Sequence, residues 1–479
     1  MSSRTRREFL QLAGATAALA TVSEAMPAPV YAADSGPSNS TLQAWVTDAG
    51  HRYAEQPKLS WTPASTAALT EDTIRIDATR QYQPILGFGG AFTDAACWNF
   101  QQMPESSREE LLHELFHRSQ MNLSVGRLCI GASDYSRNAY SYDDGDADPG
   151  LTRFSIDHDR AYILPTLRAA RQLNPDLFLL GSPWSPPGWM KSTQNTLLGG
   201  TISRSHLGVY AQYMVKFLQA YRDAGVLVNA VTSQNEVDTD QDGKMPACTW
   251  PQEIEVQFVG DDLGPAIEKA GLNTKIWLID HNYNLWGRAI CELDDEKVRK
   301  YANAIAWHGY VGKPEWVQKV LAVHPDAEMY WTEGGPDITA TDYETDWVKW
   351  SNTFTGVLRN HMRCIIAWNL VLDELGKPNI GPFPCGGVVT VNSQTKKVTR
   401  SGQYWAFAHY SRNIKQGAVR IDSQGELNEM SHVAFKNTDG SRVLVLTNNG
   451  SARPLTIRDS GRTTVVNLRP KSVTTVSWE

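Results

Sequence analysis

The 479-residue sequence predicts an α/β fold: a (β/α)8 TIM barrel over 81–412, joined to an antiparallel β-sandwich side domain built from both chain ends. Three observations carry this. Eight short, nearly continuous apolar segments recur between residues 85 and 370. Amphipathic stretches separate them. After about residue 415 the pattern changes to short alternating strands broken by turns. Length alone favours two structural units, because one hydrophobic core rarely grows to fill so long a chain.

The eight segments read ILGFGGAFTD (85–94), LSVGRLCIG (123–131), LFLLGSPWS (177–185), AVTSQNE (230–236), KIWLIDHN (275–282), AIAWHGY (304–310), EMYWTEGG (328–335) and CIIAWNL (364–370). Runs this apolar suit parallel strands covered on both faces. Between them, Leu207, Tyr210, Met214, Phe217, Leu218 and Tyr221 recur at three- and four-residue steps, which gathers them on one helix face. Residues 251–271 open on Pro251 and Glu253 and close at Gly271, as helix ends do, and 104–120, 158–173 and 341–361 have the same character. At the C-terminus VRI, HVAFKN, RVLVLTNN, PLTIRD, TTVVNL and SVTTVSW alternate, with Asn-Asn-Gly and Asp-Gly turns between strands. TIRID (73–77) is placed to join that sheet from the other end of the chain.

Composition narrows the function. With 41% hydrophobic and 20% charged residues, a net charge of −7 and no Lys/Arg run, the chain reads as an ordinary globular protein with no nucleic-acid footprint. Sixteen Trp favour ligands with apolar ring faces, such as sugars. Residues 4–11, RTRREFLQ, followed by a short mildly apolar run, have the form of a twin-arginine export signal, and that run is too short for a permanent membrane anchor. The expected organisation is therefore a signal peptide at 1–33, an N-terminal segment at 34–80 lending strands to the side domain, the catalytic barrel at 81–412 and the C-terminal side domain at 413–479. The six Cys are scattered and most lie in apolar stretches, which favours buried free thiols.

Active sites of such barrels form at the C-terminal strand ends. The fourth segment ends in Gln234-Asn235-Glu236 and the seventh in Thr332-Glu333-Gly334-Gly335. Two carboxyl groups are what glycosidic cleavage requires, one to protonate the leaving oxygen and one to meet the oxocarbenium-like centre. His281 and His308 lack the spacing of metal motifs and are expected to hydrogen-bond in the barrel mouth, so no metal or other cofactor is expected. Asp238, Asp240 and Asp242 alternate as in a calcium loop but lack its flanking helices and terminal Glu, and are expected to be solvated. GFGG (87–90) lacks phosphate-loop spacing, and its glycines are expected to permit a tight turn at a strand end.

Taken together, GFGGAFTDAA (87–96), SPWSPPGWMK (182–191), QNE (234–236), LGPAIEKAG (263–271), WHGY (307–310) and TEGG (332–335) resemble glycoside hydrolase family 30, over most of 83–412. The resemblance implies a retaining β-glycosidase, glucosylceramidase-like or β-1,6-glucanase-like, with Glu236 as acid/base and Glu333 as nucleophile. Glu236 would then need a raised pKa while Glu333 stays ionised. The same resemblance implies Asn235 on the sugar 2-hydroxyl and Tyr310 against the nucleophile. Trp184 and Asp134 would bind glucose, Trp368 would form the apolar floor, and Arg127 would support Glu333. The partner implied is a β-linked glucoside, oligosaccharide or polysaccharide. A xylanase-type activity and a carbohydrate-binding protein without catalysis are the alternatives. Val237 stands where the family has proline, and the acidic loop DTDQDGKMP (238–246) follows, which bears on the leaving-group side of the site.

Overall fold

The structure is a computed structural model that describes residues 41–64 and 72–479. The twin-arginine segment lies outside the described residues.

The barrel is as expected. Its strands, β1 (Gly87–Phe92), β2 (Val125–Cys129), β3 (Phe178–Ser182), β4 (Ala230–Thr232), β5 (Lys275–Asn282), β6 (Ala304–His308), β7 (Glu328–Glu333) and β8 (Met362–Ala367), pair in parallel and in sequence order. The circuit closes where β8 lies beside β1. The predicted helical face of Leu207–Asp223 is buried throughout. The predicted 251–271 helix is interrupted: Gln252–Gln257 and Gly264–Lys269 flank a wider π-turn at Phe258–Leu263. Pro265, which has no N–H to donate, stands just beyond that turn.

The glycines of GFGG do not make a turn; they lie within β1. A Cβ on Gly89 would sit 1.7 Å from the Val125 carbonyl oxygen, and one on Gly87 2.1 Å from Ser124 Oγ. Only glycine lets β1 and β2 approach this closely.

The side sheet runs in the order 51–55, 41–48, 472–478, 442–448, 430–436, 419–424, 73–84, 453–459, 462–468, 62–63. Both ends of the described chain therefore contribute. Thr41–Asp48, a strand that the sequence pattern did not single out, pairs antiparallel with Ser472–Trp478. The pairing is antiparallel except between Thr73–Pro84 and Arg453–Asp459, which run parallel. A separate apolar core that includes Leu42, Ile74, Leu444, Ile457 and Trp478 fills the sheet's interior. Barrel and sheet meet at Trp347–Arg359 and Gly402–Ser411, where His409 bonds Thr475 Oγ1 and Thr47 Oγ1, each at 2.9 Å. A short three-stranded sheet, Val371–Leu372, Val389–Val391 and Val398–Arg400, follows β8; the loop inside it brings Phe383 and Cys385 over the barrel mouth.

All six cysteines are free. No helix of the described residues is long and apolar enough to cross a membrane.

Candidate active site

The two-residue period of a strand explains how the site is built. Val125, Leu180, Ala230, Ala306, Tyr330 and Ile366 form an apolar layer inside the barrel, with Trp277 stacked on Tyr330 at 3.8 Å between ring centres. Two residues further along the same strands stand Arg127, Ser182, Thr232, His308, Thr332 and Trp368. All six are buried. A dry floor thus supports a polar layer directly above it, where charges interact more strongly than in water.

On β5 the period breaks. The pairing with β6 slips between Ile279 and His281, and Ile279 and Asp280 take φ of 73° and 46°. This bulge turns Asp280 rather than Ile279 inward. Such backbone is strained for an Ile and needs outside support. Glu255 supplies it, accepting hydrogen bonds from Ile279 N at 3.2 Å and from Ser233 Oγ at 2.5 Å, while Arg288 holds its other oxygen at 2.6 Å. Glu236 is likewise left-handed, with φ of 55°, and its N–H donates to the Asp280 carbonyl at 3.0 Å.

Arg127 is the hub of the polar layer. Its guanidinium donates to Glu333 Oε2, to Asn235 Oδ1 at 2.5 Å, to Asp280 Oδ2 at 2.7 Å and to Ser182 Oγ at 3.2 Å. It also lies 4.6 Å from the Trp184 ring centre. Asp280 additionally accepts from Thr232 at 2.9 Å, Thr332 at 2.8 Å and His308 Nε2 at 3.0 Å. Burial would raise the Asp280 pKa, but Arg127, His308 and Ser182 hold it well below the usual carboxylate range.

His308 sits between the glutamates. Nδ1 is 3.4 Å from Glu236 Oε1 and Nε2 is 3.7 Å from Glu333 Oε2. Burial favours the neutral ring, yet Glu333, Asp280 and Glu236 raise its pKa to about 9. Glu236 also faces His281 Nδ1 at 3.5 Å and accepts from Gln241 Nε2. Its pKa is lowered: burial raises it, and His308, His281 and Gln241 outweigh that. A raised Glu236 pKa is therefore not what the free site provides. Tyr310, though half-exposed, donates its hydroxyl to Glu333 Oε1 at 3.1 Å.

Asp134, Trp184, Asn235, Glu236, Tyr310, Glu333 and Trp368 all line one cavity of about 510 Å³, and Arg127 lies beneath it. Trp184 and Trp368 stack at 5.0 Å to form one aromatic wall. Asp134 is 3% exposed and its Oδ1 has no hydrogen-bond partner. Burial, Glu333 and Glu236 push its pKa well above the usual range. This buried carboxyl group thus lines the cavity with one oxygen unpartnered.

Several residues of the site were not among those the sequence singled out. Asp280, at the tip of IDHN, could have been found by reading every strand tip as the glutamates were read. Gln241 could not, because it reaches Glu236 from a loop. Asp238 is not simply solvated: it pairs with His281 Nε2 at 2.6 Å. Glu236, His281 and His308, on adjacent strand ends, are the group whose geometry could hold a metal ion among the described residues.

A parallel eight-stranded barrel with two carboxylates and an aromatic wall at its mouth defines a glycoside hydrolase. The chain belongs to glycosyl hydrolase family 30: its TIM-barrel domain matches residues 85–414 and its beta-sandwich domain 417–476. An endo-1,6-beta-D-glucanase of Neurospora crassa is 33% identical, the match covering 85% of this chain and 88% of the relative. A putative glucosylceramidase of Caenorhabditis elegans is 31% identical over 85% and 84%. Among solved structures, SrfJ of Salmonella typhimurium superimposes with a TM-score of 0.87 at 26% identity, covering 92% of this chain and 99% of SrfJ.

Proposed function

We propose that the protein hydrolyses β-glucosidic bonds with retention of configuration, that its substrate is a β-1,6-linked glucan, and that it works outside the cytoplasm. The observation that carries the reading is the placement of Glu236 and Glu333 on opposite nitrogens of one buried imidazole, in a cavity walled by Trp184 and Trp368. In this reading Glu333, oriented by Arg127 and Tyr310, attacks the anomeric carbon and forms a glycosyl ester. Glu236 gives its proton to the departing oxygen, then takes one from the water that cleaves the ester. Arg127 occupies the Asn235 carbonyl oxygen, so the Asn235 amide N–H groups are left for a sugar hydroxyl. Gln241 favours ionised Glu236 in the free protein; an aglycone that displaces it moves Glu236 toward the proton-donating form.

A polysaccharide leaving group is favoured by the polar 238–246 loop, which lends Thr239, Gln241 and Met245 to the cavity, and by the name of the Neurospora relative. Glucosylceramide is the second reading. It is favoured by Tyr310 and Phe383, exposed at 49% and 42% on the cavity wall, and by the Caenorhabditis relative.

Incubation with β-1,6-glucan, glucosylceramide and glucuronoxylan, followed by separation of products, tests the substrate. Proton NMR should show the β-anomer released first, and an activated 2-fluoroglucoside should label Glu333. Release of the α-anomer would sink the retaining mechanism, and absence of both label and products would favour a binding protein. Export is tested separately: Arg6→Lys with Arg7→Lys should hold the protein in the cytoplasm.

A further inference from the structure

We propose that the barrel mouth also binds one divalent transition-metal ion, of the zinc or copper(II) class, through Glu236, His281 and His308, and that this ion inhibits hydrolysis. The binding half stands on geometry alone; the inhibitory half rests on the proposed role of Glu236.

The three ligand atoms lie within 4.8 Å of one another. Glu236 Oε1 is 3.4 Å from His308 Nδ1 and 3.5 Å from His281 Nδ1. Zinc bonds of about 2.0–2.1 Å at tetrahedral angles put neighbouring ligands roughly 3.3–3.4 Å apart. Two edges of a coordination tetrahedron are thus already in place. His308 Nδ1 is buried and makes no hydrogen bond, and His281 Nδ1 has the Asn282 amide nitrogen at 3.3 Å. The rings meet edge to face, with centres 5.8 Å apart and planes at 79°.

The far nitrogen of each ring is backed by a carboxylate: His308 Nε2 by Asp280 at 3.0 Å and His281 Nε2 by Asp238 at 2.6 Å. That hydrogen bond keeps Nε2 as the donor in each ring, so that a metal ion takes Nδ1, facing Glu236, displacing the proton that His308 carries there, and it makes the ring a better ligand. With the His308 proton displaced, Glu236, Glu333, Asp238 and Asp280 are opposed here by the guanidinium of Arg127, which leaves a field attractive to a divalent cation. The fourth position would open toward the cavity. An ion bound this way occupies Glu236 Oε1 and prevents that carboxyl from passing a proton to the leaving oxygen. The ligands come from three separate strand ends, which is why no spacing motif announces them.

The test is to strip the full-length protein with a chelator and titrate it with Zn²⁺ by calorimetry and with Co²⁺ by the visible absorption of the four-coordinate ion. One ion should bind per chain. Asp238→Asn should weaken binding about 10–100-fold, the usual size of outer-shell effects, and His281→Gln by at least as much. Glucosidase activity should fall as Zn²⁺ binds and return with EDTA. Absence of binding, or wild-type affinity in His281→Gln, would overturn the site. Binding without inhibition would overturn the inhibitory half. Activity lost on chelation and restored by zinc would overturn both that half and the two-glutamate reading. Calorimetry needs no turnover, so failure of the Glu236 assignment leaves the binding result readable.

Discussion

Two histidines, each completely buried, are held in opposite charge states: His308 in the barrel mouth and His409 at the seam between barrel and sheet. Burial disfavours the charged ring in both. At His308, Glu333, Asp280 and Glu236 reverse that penalty and raise the pKa to about 9. At His409 the ring nitrogens meet only the hydroxyls of Thr47 and Thr475, with Arg412 adding a repulsive charge, and the pKa falls to about 3. Hydroxyls can satisfy a neutral ring, but carboxylates are needed to hold a proton on it. The mouth is therefore a network of buried, mutually paired charges, and the seam is a neutral polar joint.

The most severe way to break the mouth is to remove its fixed cation. Arg127→Ala leaves Asp280 and Glu333 buried without their partner, and removing one member of a buried pair typically costs about 3–5 kcal/mol. Denaturant unfolding should show that loss together with loss of activity. If Arg127→Ala unfolds like the wild type, the charges are better solvated than their burial implies.

A narrower change is His308→Gln, which keeps hydrogen bonding but removes the second cation between the glutamates. Turnover should fall about 10²–10³-fold, as when one preorganised donor of an active site is lost. His409→Gln, buried to the same extent, should leave turnover unchanged. Equal kinetic effects from the two would show that burial, and not the local carboxylates, sets the importance of a histidine here.

The sequence made the floor and walls of this site legible, but not its wiring. Glu236, Glu333, Asn235, Tyr310 and Trp368 stand at strand ends, where local pattern and barrel geometry fix the direction of a side chain. The support of Glu333 by Arg127, 206 positions away, is expected from the sequence, but the bonds of Arg127 to Asp280 and Ser182 are not. Asp280 faces inward because of a bulge that period-two counting would have read as Ile279. The strain of that bulge is supported by Glu255, on a helix outside the barrel. In the same way, alternation revealed the C-terminal strands, whereas Thr41–Asp48 became part of the sheet only through Ser472–Trp478, at the opposite end of the chain.

The gentlest probe of the comparison is acid. With a folded-state pKa near 3 against an ordinary value of 6.5, His409 binds fewer protons folded than unfolded between those limits. Stability must then fall as pH drops below about 6.5, by up to about 1.4 kcal/mol per pH unit, and the loss is complete only below about 3. His432 in the side sheet, bonded to Ser423 Oγ and the Gly425 carbonyl and lowered to about 4, adds to the slope over the upper part of that range. His308 acts in the opposite sense: with its folded pKa raised to about 9, its stabilisation is fully present below about 6.5 and is lost as pH rises from there toward 9. His409→Gln should therefore flatten the acid limb of a stability–pH curve measured by urea unfolding between pH 7 and pH 4, and restoring His at that position should restore the slope. If the limb is unchanged, the seam histidine is charged after all, and the contrast with the mouth fails at the seam.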